Sequence, residues 1–353
     1  MSKNQDQAIT LTSQLCVPKS TRFFQGALVP WELKSYQEEF SLAQSKGGLF
    51  DLTDHVVIEI HGKDAEDYLQ RMTTVQFKGL GVNQVVHGAF LTGRGGVVAL
   101  GVFRKIDSET FHFLISLEKK ERVLEHIEQF HFAEQFSVRD LAKEYAVLGI
   151  WNPKGVLSHD LGFNDLTGPL SLQRVECWGE KLLSWKDVRR SSLFWTVMDR
   201  SRAVFFLKKW LENGHFLLGR RLFEFFRLEA AVPWSGNELS EKDIILEGNF
   251  NEAVARNKGC YPGQEVVERI FTYGQVNRKL QRVTLWGDSD LDSSKPLLFF
   301  ADSKEVGELV SWMEDPRDEK IKTGLMFVKK EFWSSQQEWR TTSGVCAKLS
   351  PIS

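Results

Sequence analysis

Hydrophobic and polar positions begin to fall into clear periods at Gly47. His55-Val-Val-Ile-Glu-Ile60 is an apolar run of strand length, closed by the His61-Gly62-Lys63 turn. Asp64 is placed to cap a helix in which Ala65, Tyr68, Leu69 and Met72 fall at i, i+3, i+4 and i+7. Two apolar runs, 85–92 and 97–103, are joined by Thr92-Gly-Arg-Gly-Gly96. Residues 111–117 read as a strand and 119–130 as a helix. Further strands are expected near 145–150, 181–185 and 193–198, with helices near 201–212 and 219–231. Interleaved strands and helices with hairpin-like links predict an α+β fold. After Asn277-Arg-Lys279 the grammar changes to short apolar runs at 282–286, 297–301, 306–312, 322–328 and 344–348, as in a small β-barrel or sandwich. Three domains are therefore expected: 1–145 (well patterned over 45–145), 146–277 and 278–353. Residues 1–45 are mixed and predict no element.

Length and composition agree with several packed cores. The chain has 353 residues, of which 42% are hydrophobic and 26% charged, and its glycines and prolines are scattered. A net charge of −2 argues against a surface dominated by nucleic acid, so no direct nucleic-acid binding is expected. The first residues lack a basic segment followed by an apolar one, and no run approaches 18 apolar residues. A cytoplasmic protein without a membrane span is the expectation. Cysteines at 16, 177, 260 and 346 form neither a disulfide framework nor a CxxC motif.

Most candidate motifs fail on context. Gly93-Arg-Gly-Gly96 lacks a following Gly-Lys-Ser/Thr and leads into a strand pattern, so a hairpin turn is expected rather than a phosphate cradle. The eight histidines show no metal-ligand spacing, and no Gly-x-Ser-x-Gly elbow is present. Two residues stand out. Glu229 follows Leu222, Phe225 and Phe226 at i+7 on a face that should be apolar. It is either half of a buried ion pair with an arginine, or a ligand for adjacent N–H donors such as those of a pterin or purine.

Cys260 lies in Lys258-Gly-Cys-Tyr-Pro-Gly-Gln-Glu265. Pro262 suits a first helical position, which would set the thiol just before a helix N-terminus, where the dipole favours thiolate. Residues 256–282 carry six Lys/Arg against two Glu, a local excess of +4. The alternative is a small packed thiol beside a glycine turn.

The motif at 258–265, with Val-Val-Glu-Arg269 and Gly274-Gln-Val-Asn-Arg-Lys279 after it, resembles the signature of YgfZ-type proteins, folate-binding relatives of the glycine-cleavage T-protein (aminomethyltransferase). Gly48-Leu-Phe-Asp-Leu52, Gly62-Lys-Asp-Ala65 with Tyr68-Leu-Gln-Arg71, and Arg227-Leu-Glu-Ala230 are similar to landmarks of that superfamily, in the same order. The resemblance implies two α+β units around a folate-sized opening and a C-terminal antiparallel β-barrel. The first unit would bind folate, and the second would carry the cysteine motif. It implies Cys260 and Lys258 as the chemical residues, and Glu229, Arg269, Tyr261 and Gln264 as contacts for tetrahydrofolate or a derivative. No stably bound metal is expected, since one well-placed thiol falls short of the usual four cluster ligands.

One departure matters. Aminomethyltransferases carry an acidic pair after the two-glycine turn, where this chain has Ala99 and Leu100, so glycine cleavage is not expected. The implied function is assembly or repair of iron–sulfur clusters in a subset of enzymes, indirectly supporting tRNA thiolation. Its partners would be iron–sulfur client enzymes or assembly proteins. The alternatives are a tetrahydrofolate-dependent one-carbon transferase and a non-catalytic folate-sensing scaffold.

Overall fold

The protein, studied as a computed structural model, is described for residues 10–157, 172–256, 258–287, 291 and 297–351. It divides into two compact units that alternate along the chain. The first holds residues 1–70, 76–88 and 101–223, and the second holds 71–75, 89–100 and 224–353.

The first unit contains a six-stranded sheet in the spatial order Gln173–Cys177, Glu180–Lys186, Leu193–Asp199, Tyr145–Trp151, Gly48–Asp51 and Leu217–Leu218. The last pair is parallel and the others are antiparallel. A five-stranded sheet runs Val85–Leu91, Val97–Lys105, Thr110–Ser116, His55–His61 and Ser137–Asp140. Its first hairpin starts in this unit and has its tip, residues 89–100, in the second. Thr110–Ser116 is buried at every position, which explains why such segments read as continuous apolar runs rather than alternating ones. Against the six-stranded sheet, helix Arg200–Glu212 buries Ala203, Phe206, Leu207 and Trp210 at helical spacing.

The second unit contains a closed antiparallel six-stranded barrel in the order Arg278–Trp286, Asp318–Lys329, Lys304–Asp315, Leu297–Ala301, Trp339–Arg340 and Cys346–Leu349. Val283, Leu285, Phe299, Val306, Met326, Val328 and Trp339 fill it, all fully buried. The α+β class and the C-terminal barrel match the pattern of the sequence, and closure leaves the barrel no open sheet edge.

Two expectations needed correction. Asp64 does not cap the helix Ala65–Met72 with its carboxylate, which accepts the Gln135 backbone N–H at 2.7 Å instead. Residues 20–46, which predicted nothing, form the hairpin Ser20–Phe24/Ala27–Glu32 and the helix Tyr36–Lys46. Ser35 caps that helix through Oγ to the Glu38 N–H, a start signal visible in Ser35-Tyr-Gln-Glu38. Its apolar stripe is broken by Glu39, which is 1% exposed. The Glu39 carboxylate accepts N–H bonds from Leu33, Lys34 and Gly219, so a charged residue sits where an apolar one marks most helices.

Candidate functional site

The 258–265 motif lies in the second unit and is held at three points. Before it, residues 73–75 and 253–255 are tied together by backbone and hydroxyl bonds. Thr74 Oγ1 donates to Ala253 O at 2.6 Å and accepts the Ala89 N–H at 2.9 Å, and Ala255 N donates to Thr74 O at 2.9 Å. Lys258 then turns inward. Its Nζ donates to Thr73 O at 2.5 Å and Val75 O at 2.6 Å, and it sits 5.0 Å from the centre of the Tyr261 ring. Burial pushes the Lys258 ammonium down to about 7, while the two carbonyls favour the charged form.

The third point is Gly263, at φ +80°. A Cβ there would come within 2.7 Å of Gly95 Cα and of Thr92 O, so the residue must be glycine for the motif to lie against the 92–96 turn. That turn is a hairpin, as expected, closed by bonds between Thr92 and both Gly95 and Gly96.

Helix Gln264–Tyr273 follows, with Gly263 as its N-cap. Pro262 therefore precedes the cap and is not the first helical residue, because Gly263 takes the left-handed conformation that turns the chain into the helix. Cys260 is exposed, one residue from buried Tyr261. All four cysteines are free thiols. The remaining predicted contacts are differently placed. Tyr261 is 7% exposed, and its hydroxyl has no partner among the described residues; burial, helped by the Glu268 charge, pushes it up to about 12. Gln264 is half-buried at the helix start, whereas Arg269 is exposed and paired with Glu265 at 2.7 Å along the helix. Arg256 stacks on Phe271, 4.7 Å from its ring centre.

Glu229 ends the helix Arg220–Glu229 with Leu222 and Phe225 fully buried and Phe226 nearly so, as its spacing predicts. Its Oε1 accepts from Arg317 Nη2 at 2.6 Å and Arg282 Nη2 at 3.3 Å. Arg317 also grips Asp315 with two bonds, and these hold its guanidinium firmly protonated. Glu229 thus has the arginine partners that a charge on an apolar face calls for. Its side chain keeps 15% of its surface, and Oε2 has no partner among the described residues. Arg282 and Arg317 lie 53 and 88 residues away, so no local spacing marks them as those partners.

Ala99 and Leu100 are 0% and 6% exposed, and the Leu100 carbonyl accepts the Ser235 hydroxyl. Neither position offers a titratable group. Among the described residues no group of three His, Cys, Asp or Glu side chains could hold a metal ion, and no helix is long and apolar enough to cross a membrane.

Comparison with known proteins places these features. Residues 20–158 match the GCVT N-terminal domain. A chloroplastic protein of Arabidopsis thaliana, provisionally named a transferase, is 25% identical over 80% of this chain, which spans 65% of that protein's length. An aminomethyltransferase of Oceanobacillus iheyensis is 24% identical over 83% of this chain and 82% of its own. The crystal structure of glycine-cleavage aminomethyltransferase T from Bartonella henselae superposes with a TM-score of 0.81 at 16% identity, covering 94% of this chain and 93% of that one. Residues 20–158 are thus similar to a GCVT N-terminal domain, and the chain has the fold of aminomethyltransferase T.

Proposed function

We propose that this chain is a folate-binding factor for the assembly or repair of iron–sulfur clusters in a subset of enzymes, acting through Cys260. The observation that carries this reading is a contrast within the second unit. The two positions that are acidic in aminomethyltransferases are buried Ala99 and Leu100, while an exposed thiol stands in a loop pinned by Lys258 and Gly263. Acid–base help has gone from one place, and a nucleophile or metal-binding sulfur stands at another.

Glu229 fits tetrahydrofolate or a derivative. A pterin presents adjacent N–H donors, and Oε2 is an uncommitted acceptor on a carboxylate whose other oxygen is fixed. Gln264 and Tyr261 would supply further polar contacts, and Arg269 would have to leave Glu265 to do so. Bound folate would bring one-carbon or reducing chemistry. The protein's own part is to hold the pterin and to present Cys260 without a competing acid.

The decisive experiment is complementation of a deletion strain, reading the activity of its iron–sulfur enzymes. Cys260→Ala should fold and fail to restore activity, and full rescue would sink the idea. Calorimetry with tetrahydrofolate on the native protein and Glu229→Ala tests the cofactor and its anchor together.

The relatives named aminomethyltransferase favour a second reading, a one-carbon transferase with a different donor. Purified protein would then transfer a one-carbon unit from an aminomethyl-type donor to tetrahydrofolate, releasing the amine and forming 5,10-methylene-tetrahydrofolate, and Cys260→Ala would retain that turnover.

A further inference from the structure

The two arginines at Glu229 meet it in an unusual way. A guanidinium and a carboxylate commonly pair through two parallel N–H···O bonds, one to each oxygen. Here both contacts fall on Oε1, and in each arginine the remaining donors are directed elsewhere. Arg317 turns Nε and Nη2 to Asp315, at 2.7 and 2.6 Å, and its backbone N–H fixes the same Asp315 carboxylate at 2.8 Å. Arg282 stands on the barrel strand Arg278–Trp286. Its Nε donates to Thr323 Oγ1 at 3.4 Å on the adjacent strand Asp318–Lys329, and its Nη1 donates to Pro351 O at 2.9 Å.

That last acceptor comes from chain beyond the final barrel strand. Cys346–Leu349 pairs with residues 283–286, and the pairing ends at Leu349 opposite Val283. Ser350 carries the chain on along the same strand. Its N–H donates to Arg282 O at 3.0 Å, and its hydroxyl shares a hydrogen bond of 2.5 Å with Thr284 Oγ1. Ser350 is thus tied to the strand that bears Arg282, and this sets the Pro351 carbonyl against the guanidinium. Pro351 itself is exposed and lies outside the barrel core.

We propose that Ser350–Pro351 is a positioning strap for Glu229, which with Asp315 holds both arginines off Oε2 and keeps that oxygen open to a ligand N–H. The proposal rests on the reading of Glu229 as the anchor for tetrahydrofolate. Without the Pro351 carbonyl, Arg282 Nη1 loses its acceptor, and the carboxylate already bonded to Nη2 is the replacement at hand. The resulting fork would fill both Glu229 oxygens. A ligand would then have to break a charge-assisted bond before it could bind.

The test compares the native chain with one ending at Leu349, by calorimetry with tetrahydrofolate and by crystallography without ligand. The shortened chain should bind about tenfold more weakly, the worth of one charge-assisted hydrogen bond. Its crystals should show Arg282 Nη1 and Nη2 on the two Glu229 oxygens. Asp315→Asn should weaken binding in the same way, with Arg317 as the forked partner. Arg282→Lys in the shortened chain should restore affinity, because an ammonium is a point donor and cannot fork; a merely structural loss would not be recovered. Equal affinity of native and shortened chains, or no recovery by Arg282→Lys, would overturn the proposal. If the native chain binds no tetrahydrofolate, the anchor reading fails and the crystals decide the strap: a forked Arg282 upholds it, and an unmoved one overturns it. If the shortened chain does not fold, Asp315→Asn decides by the same two measurements on Arg317.

Discussion

One helix carries an arginine–carboxylate contact at each end, and the two contacts differ in kind. At its start, Arg220 grips Asp54 through Nε and Nη2 at 2.9 and 2.8 Å, and both side chains are 0% exposed. At its end, Glu229 takes both of its arginines on one oxygen, and Arg317 is 48% exposed. Asp54 is lowered well below the usual carboxylate range. Burial opposes that shift, but the Arg220 and His55 contacts outweigh it. Enclosure makes the first pair a fixed part of the fold. Access to solvent and a spare oxygen make the second one available to a ligand.

The strongest test of that contrast removes one partner from each pair. Arg220→Met strands a buried carboxylate and should cost about 3–5 kcal/mol in urea unfolding. Glu229→Gln should cost under about 1 kcal/mol, because its main partner is half in water. Equal losses would break the comparison.

Acid offers a second test. Asp187 is fully buried against Arg190 and Trp195, which hold its carboxyl down to about 2 despite burial. A depressed acid stabilises the fold fully above its unfolded value of ~3.9 and loses that contribution as pH falls through its folded value. Stability should therefore drop by about 2 kcal/mol per such group between pH 4 and 2, and Asp187→Asn should flatten that slope. Asp54 adds to the same window.

Gly263→Ala should cost about 1–3 kcal/mol from the positive φ alone, with the clash against Gly95 added, and should increase cleavage of the 258–263 loop in limited proteolysis. Lys258 gives an effect of the same pH sense in a second, alkaline window. It is a base lowered from 10.5 to about 7, so between those values the unfolded chain binds more protons. Stability should rise as pH increases from 7 toward 10, and Lys258→Met should remove that rise. The smallest effect is expected at Cys260. Its side chain is exposed, so Cys260→Ser should stay within about 0.5 kcal/mol of wild type while losing complementation.

Much of this was legible in the sequence. The helix from Ala65, the hairpin around Gly93-Arg-Gly-Gly96 and the barrel strands after Asn277 came from apolar spacing, and the structure has them. Strand Gly48–Asp51 was visible only as part of a resemblance, and Gln173–Cys177 and Ser137–Asp140 were not visible at all. Such short segments have too few positions to show a period, and their pairing partners decide them. The site divided in the same way. Cys260 and Glu229 stood out as residue types in unusual places, but the Glu229 partners and the inward turn of Lys258 did not.

The sequence by itself determined which stretches are strand or helix, that the C-terminal part is all-β, and which thiol precedes a helix. Those properties depend on residues within about one helical turn or one hairpin of each other. Tertiary structure alone decided that Lys258 reaches Thr73 and Val75, that Gly263 meets Gly95, and that Arg104 is enclosed beside Trp185. Whether a charge is paired, exposed or stranded depends on groups far away in sequence that desolvate it and bond to it, and local spacing carries no record of them.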